Sequence, residues 1–246
     1  MKKKSAIVLF SGGQDSTTCL FWAKKFFKKV IALSFDYGQR HKIELLATKK
    51  IAKIAKVKHI ILNIDEFKKL KASSLLDKKF KINAKHLLNK NLPSTFVPGR
   101  NIVFITFAAI YAYINKIDNL VIGVSQVDYS GYPDCRKNFI KAIEKAISFG
   151  FDKKFTIHTP LINKTKKEIV LLAKKLKILD TMKYTHTCYS GKAKPCGKCA
   201  ACKLREKGFF EAKIEDPLKD RKIAIAILRK KQNKKNTFKK NKKFLK

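Results

Sequence analysis

The chain has 246 residues, 57 of them Lys or Arg and 18 Asp or Glu, a formal net charge of +39, and 45% are apolar. That length fits one domain, or one with a small appendage, and the apolar fraction can build a sizeable core, which excludes wholesale disorder. The charge would suit nucleic-acid binding. Yet arginine occurs only at positions 40, 100, 136, 205, 221 and 229, and lysine is spread along almost the whole chain. A dispersed lysine excess reads as a compositional background of solvated faces, not as a groove.

Residues 5–10 form a continuous apolar run, the pattern of a fully buried strand. A helix is predicted over 16–29, where Cys19, Ala23, Phe26 and Phe27 recur at helical spacing. A second buried strand spans 30–35, a second helix 41–56 and a third strand 59–64. Residues 65–92 are less regular and read as an insertion. An apolar, buried helix is predicted over 101–115 and a fourth strand over 119–124. A helix over 137–149 and a short fifth strand over 155–158 follow. The last helix of the alternating pattern, 165–176, opens with a Thr165–Glu168 capping box.

Apolar strands alternating with helices define an α/β fold, a doubly wound parallel sheet whose ligands lie at the carboxyl ends of the strands. Residues 1–180 are assigned to that domain, 181–220 to a Cys-rich, loop-like segment and 221–246 to a basic tail. The run before residue 10 is too short for a secretory signal core, and the longest apolar stretch, 103–114, is too short to cross a membrane. A cytoplasmic location with reduced cysteines is expected.

Between the first strand and first helix stand Phe10, Ser11, Gly12, Gly13, Gln14, Asp15, Ser16, Thr17, Thr18, Cys19 and Leu20. Two glycines allow a tight turn whose amides converge beside a positive helix end, and the hydroxyls of Ser11, Ser16 and Thr17 add donors. This is a phosphate cradle, although neither the G-x-x-x-x-G-K-[ST] nor the G-x-G-x-x-G spacing is present. The bland alternative is a plain strand–helix turn with Asp15 or Ser16 as its cap. Beside a polyphosphate, Asp15 would cap the helix or help hold a hydrated Mg2+ ion. The string Ser-Gly-Gly-x-Asp-Ser resembles that of the pyrophosphate-loop ATPases, which implies cleavage of ATP between its α and β phosphates and transfer of AMP to a substrate oxygen.

Cys188, Cys196, Cys199 and Cys202 give C-x7-C-x2-C-x2-C, two overlapping C-x-x-C units that bring four thiolates together. The alternatives are disulfides and an iron–sulfur cluster; a structural Zn2+ is preferred, with no open position for water. Cys19 reads as a core residue, and Cys135 as a buried filler in preference to a site thiol.

Three further segments sit at strand ends or before the apolar helix. They carry Tyr37 and Arg40; Arg100; and Asp128, Tyr129, Tyr132, Asp134 and Arg136. Arg100 and Arg136 are candidate catalytic cations beside Asp15. In a lysine-dominated chain, Arg40, Arg100, Arg136 and Arg205 all fall in these segments or near the cysteines, and their planar forks can hold carboxylate or phosphate at two points. Asp128 and Asp134 can accept hydrogens from a guanine-like edge, and Tyr129 and Tyr132 offer stacking faces. Structural anchoring explains any one of these alone, and the division of roles stays open.

In order along the chain, these five segments resemble the 7-cyano-7-deazaguanine synthase (QueC) family of queuosine precursor biosynthesis, over residues 4–217. The resemblance implies that 7-carboxy-7-deazaguanine attacks ATP to form an acyl adenylate, that ammonia displaces AMP to give an amide, and that a second ATP activates the amide oxygen so that a nitrile forms. It implies ATP and Mg2+ as cofactors beside Zn2+, a homodimer, and no requirement for a membrane or nucleic acid. Two other classes compete: a pyrophosphate-loop enzyme that thiolates tRNA or forms lysidine, and a non-enzymatic zinc module that binds RNA. The first needs a sulfur-carrying cysteine or a tRNA-binding domain, and the second has no use for the nucleotide loop.

Residues 229–246 contain ten basic residues and no acid. Their removal is expected to leave turnover of the free base intact, since they follow the last family-like segment and lack the aromatic spacing of a stacking platform. Full-length and truncated chains compared for nitrile formation, with a salt titration of tRNA binding, check this. RNA affinity carried by dispersed lysines should collapse with salt.

Overall fold

The computed structural model describes residues 3–38, 42–70, 73–77, 79, 81–82, 84–86, 89–127, 132–192 and 194–220. Arg40, Asp128, Tyr129 and the tail from 221 lie outside the described residues. The elements run β1 (Lys3–Leu9), α1 (Gln14–Phe26), β2 (Phe27–Asp36), α2 (Lys42–Ala55), β3 (Lys58–Asn63), α3 (Phe67–Leu70), α4 (Arg100–Ile114), β4 (Asn119–Val121), α5 (Lys137–Gly150), β5 (Thr156–His158), α6 (Lys166–Lys175) and α7 (Ala200–Glu211). The strands form one five-stranded sheet in the order β3-β2-β1-β4-β5, and every pairing is parallel.

Strand alternation sorts the core into two layers. Ile7 and Leu9 of β1 pack with Ile105, Ala108, Ala109 and Ala112 of α4 and Ile140 and Ile147 of α5. Ala6 and Val8 pack with Cys19, Leu20 and Ala23 of α1 and Ala47, Ile51 and Ala55 of α2. Both faces of β1 are therefore apolar, which is why its sequence reads as an unbroken run. Cys19 is a core residue, as its place on the helix predicted.

The capping box of α6 is formed. Thr165 N–H donates to Glu168 Oε2 at 2.8 Å, and Glu168 N–H donates to Thr165 Oγ1 at 3.3 Å.

Three local expectations are corrected. The fourth strand ends at Val121; Ile122 N–H still donates to His158 O of β5 at 3.0 Å, and Gly123 and Val124 continue outside the strand. A Cβ on Gly123 would lie 3.1 Å from Asp15 C and from Ser16 N, so the missing side chain lets the start of α1 lie against this stretch. Helix α4 is not buried all round: Ile102, Ile110, Tyr113 and Ile114 are 46, 39, 50 and 72% exposed. The Cys-rich segment is not all loop, because Cys199 caps the three-turn helix α7. Phe209 of α7 packs with Val170 and Ala173 of α6 and with Ile178 and Met182.

Candidate active site

The strand order reverses direction at β1. The chain passes from β1 through α1 to β2 on one side and returns to β4 on the other, so a crevice opens between the carboxyl ends of β1 and β4. A cleft of about 320 Å³ lies there, lined by Phe10, Ser11, Gly13, Gln14, Asp15 and Ser16 on one side and by residues 122–125 on the other.

The turn organises itself. Ser11 and Ser16 hydroxyls lie 3.1 Å apart, Ser16 Oγ donates to Gly13 O at 3.3 Å, and Gly13 N–H donates to Ser11 Oγ at 3.4 Å. Gly13, not Asp15 or Ser16, is the N-cap of α1. Gln14 Nε2, Asp15 Oδ1 and Thr17 Oγ1 are buried with no hydrogen-bond partner. An unsatisfied buried polar atom costs about 1–3 kcal/mol. Two of them, on Gln14 and Asp15, belong to residues that line the cleft and fit a ligand that brings its own donors and acceptors, whereas Thr17 is fully buried behind them. Thr18 Oγ1 instead donates to Gln14 O within the helix, Thr17 is fully buried, and Cys19 and Leu20 lie in the core, so the part of the predicted stretch that reaches the cleft lies within residues 10–16.

The opposite part of the cleft is aromatic and cationic. Tyr37, Phe104, Arg100, Tyr132 and Tyr189 line it. The Arg100 guanidinium is 6.0 Å from the Tyr132 ring centre. Burial works against its charge, but Tyr37, Tyr132, Asp134 and Cys135 outweigh it and hold the group firmly protonated. Tyr132 stacks on Phe96 at 5.9 Å, and its hydroxyl lies 2.6 Å from Thr95 Oγ1.

Several predicted roles move. Asp134 does not line the cleft: its Oδ2 accepts from Asn101 N–H at 3.3 Å, and Asn101 Nδ2 donates to Asp134 O at 3.1 Å. It ties the start of α4, and so Arg100, in place. Arg136 is exposed at the N-cap of α5, away from the cleft. Arg205 is buried and spent on structure, donating twice to Asp216 at 2.7 and 2.8 Å, to Thr185 Oγ1 at 2.7 Å and to Met182 O at 3.2 Å. The Cys135 thiol is pushed up to about 12, chiefly by burial and then by Asp134, which fits a filler and not a nucleophile.

The four cysteines converge, with their Sγ atoms all within 4.8 Å of one another. A tetrahedral zinc at about 2.3 Å from each sulfur needs sulfurs about 3.8 Å apart, so the set is close to that spacing. Cys188 Sγ accepts from Ser190 N–H and Cys196 N–H at 3.4 and 3.3 Å, and Cys196 Sγ accepts from Cys199 N–H at 3.3 Å. The hydrogen bond from Cys199 is the main cause that pulls Cys188 down to about 3, while burial first of all raises Cys202 to about 11. The cluster resists full ionisation without a cation, as a metal site does. It adjoins the cleft: His186 N–H donates to Gly12 O at 2.9 Å, and His186, Thr187 and Tyr189 are lining residues.

Glu44, Lys166, Tyr189 and Gly123 were not singled out from sequence. The isolated glycine at the end of an apolar strand was a readable signal for close approach. The others sit in ordinary helical or loop contexts. Glu44 lines the cleft, and burial raises it from 4.5 to about 8, with Arg100 opposing. A neutral carboxyl there does not repel phosphates. Because the folded value is the higher one, this group's contribution to stability is complete below about 4.5 and is lost as pH rises through about 8. Glu44→Gln is expected to flatten the fall in melting temperature between about pH 5 and pH 8. A melting series on both proteins checks it, and parallel curves would contradict it.

A glycine-turned anion cradle at the switch point of a parallel sheet, facing an aromatic and arginine wall, defines a nucleotide-binding α/β enzyme. The model of the queuosine biosynthesis protein QueC matches residues 5–213. A 7-cyano-7-deazaguanine synthase from Chromobacterium violaceum is 49% identical over 220 residues, 89% of this chain and 94% of that protein. One from Clostridium botulinum is 47% identical over 217 residues, 87% of this chain and 99% of the relative. The chain belongs to the QueC family. Among solved structures, the U34-tRNA thiolase NcsA from Methanococcus maripaludis matches at a TM-score of 0.47 and 15% identity, over 93% of this chain and 73% of that one. NMN synthetase from Francisella tularensis matches at 0.44 and 15%, over 87% and 78%. Among the described residues no helix is long and apolar enough to cross a membrane.

Proposed function

We propose that this chain converts 7-carboxy-7-deazaguanine and ammonia to 7-cyano-7-deazaguanine at the expense of ATP, through an acyl adenylate and an amide. The observation that carries the reading is the meeting, in one cleft, of Gln14 and Asp15, each with an orphaned polar atom, with the wall of Tyr37, Arg100 and Tyr132. The turn within residues 10–16 binds the polyphosphate, and Asp15 is the residue that would help hold a hydrated Mg2+ ion, which would supply charge neutralisation there. The aromatic wall holds the flat heterocycle, and Arg100 orients its carboxylate toward the α-phosphorus. Tyr129, Asp128 and Arg40 are assigned substrate-binding roles on the family pattern alone. No side-chain nucleophile is called for, in keeping with the high value of Cys135.

Zn2+ is the metal assigned to Cys188, Cys196, Cys199 and Cys202. The knot of residues 181–220 then serves as a wall of the active site built on the domain of 1–180, with 221–246 as a basic tail that the reaction does not need. The exposed face of α4 supports a homodimer, since that helix carries no charge after Arg100 in a chain of net +39. The enzyme is assigned to the cytoplasm and needs no nucleic acid. Mass spectrometry of products after incubation with 7-carboxy-7-deazaguanine, ammonium and magnesium ATP tests the reading. Nitrile and AMP are expected, and a modified tRNA without nitrile would overturn it.

A further inference from the structure

Lys166, the first residue of α6, is among the most constrained side chains in the cleft. Its Nζ lies 2.6 Å from Asp15 Oδ2, and its side chain is only 13% exposed. A lysine in the first turn of a helix opposes the helix dipole, so something else favours it there. Among the described residues that line the cleft, the Lys and Arg side chains are Lys166, Arg100 and Arg205. Arg205 is committed to Asp216, Thr185 and Met182, and Arg100 belongs to the tyrosine wall. That leaves Lys166 as the cation beside the phosphate turn.

The backbone of Lys166 is also gripped from outside the cleft. A Cβ on Gly208 of α7 would lie 2.6 Å from Lys166 Cβ and 3.0 Å from its C and O atoms. The two helices touch there with no room for a methyl group. Cys199 caps α7 and Cys202 lies in its first turn, so the cysteine knot sets where α7 begins and, through Gly208, where Lys166 stands.

Resting on the adenylation reading above, we propose that Lys166 is a catalytic cation of the adenylation step and that α7, through Gly208, is the element that positions it. Before ATP binds, the ammonium is held by Asp15. When the substrate oxygen bonds to the α-phosphorus, the bond from that phosphorus to the bridging oxygen breaks, and its electron pair leaves on pyrophosphate. The Lys166 ammonium meets that charge and exchanges its contact with Asp15 Oδ2 for one with the leaving pyrophosphate. No proton changes hands at Lys166.

The test is pyrophosphate–ATP isotope exchange driven by 7-carboxy-7-deazaguanine without ammonia, on wild type, Lys166→Gln, Lys166→Arg and Gly208→Ala, with melting temperatures in parallel. Lys166→Gln is expected to lower the exchange kcat by about 10²–10³-fold, with much less change in KM for ATP, as loss of a transition-state donor does. Lys166→Arg should restore a large part of it, and Gly208→Ala should lower kcat while Lys166 is still present. If wild type shows no substrate-dependent exchange, the adenylation reading fails and this proposal falls with it. If wild type exchanges and Lys166→Gln does so at the same rate, the proposal alone is wrong. A loss of activity that tracks loss of melting temperature, without rescue by arginine, would make the Lys166–Asp15 pair a structural staple and also overturn it.

Discussion

Gly13→Val is expected to lose AMP formation by at least about 10²-fold while the protein stays folded. Gly13 has φ −77° and ψ 170°, an extended conformation open to any residue. A Cβ there would meet Ser11 Oγ, His186 O and Thr187 Cγ2 at 3.5, 3.6 and 3.7 Å, ordinary contact distances. The branched methyls of valine would then occupy the cradle that phosphate needs. Gly12 is the opposite case. Its φ is +76°, and a Cβ would lie 3.0 Å from Thr48 Cγ2 and 3.1 Å from Glu44 O and Thr48 N, against the body of α2. Gly12→Val should therefore lose the fold, and Gly13→Val the chemistry. Chromatography of AMP at saturating ATP, with thermal melts of both variants, separates the two. Full turnover by Gly13→Val would remove the turn from the ATP site.

Cys188→Ser is expected to lose the bound metal, stability and activity together. Structural zinc contributes on the order of 10 kcal/mol in small sites. A loss of even a few kcal/mol lowers the melting temperature of a chain this size by about 10 °C or more. Cysteine spacing alone suggests that stability should fail before chemistry does. The geometry links the two, because the residues just before Cys188 are strapped to the phosphate turn by the bond from His186 N–H to Gly12 O, and Tyr189 just after it lines the cleft. Elemental analysis, melting and AMP formation on one preparation decide the matter. A variant that keeps its metal and melts with wild type would remove Cys188 from the ligand set.

The arginine pattern shows how far reading from composition reaches. Scarcity picked out Arg100 and Arg205, which both line the cleft, but Arg205 spends its guanidinium on Asp216, and Arg136 is exposed and does not line the cleft. A guanidinium serves a buried carboxylate as well as a ligand, and nothing local in sequence tells the two apart. Asp134 fails for a related reason: its partner, the start of α4, lies 33 residues earlier in the chain.

Much of the molecule was nevertheless legible without coordinates. The apolar runs of β1 and β2 announce strands covered on both faces, the Gly12–Gly13 turn marks the loop that lines the cleft after the first strand, and the cysteine spacing announces a cluster able to hold a metal. Each is a local signal, because backbone periodicity, glycine torsions and ligand spacing act within a few residues. The contacts that complete the active site are of another kind. Lys166 meets Asp15 across 151 residues, Gly208 meets Lys166 between two helices, and Gly123 makes room for the start of α1. Such contacts depend on which strands lie side by side and how closely two helices approach. Those distances are set by packing across the whole sheet and leave no periodic trace in the chain.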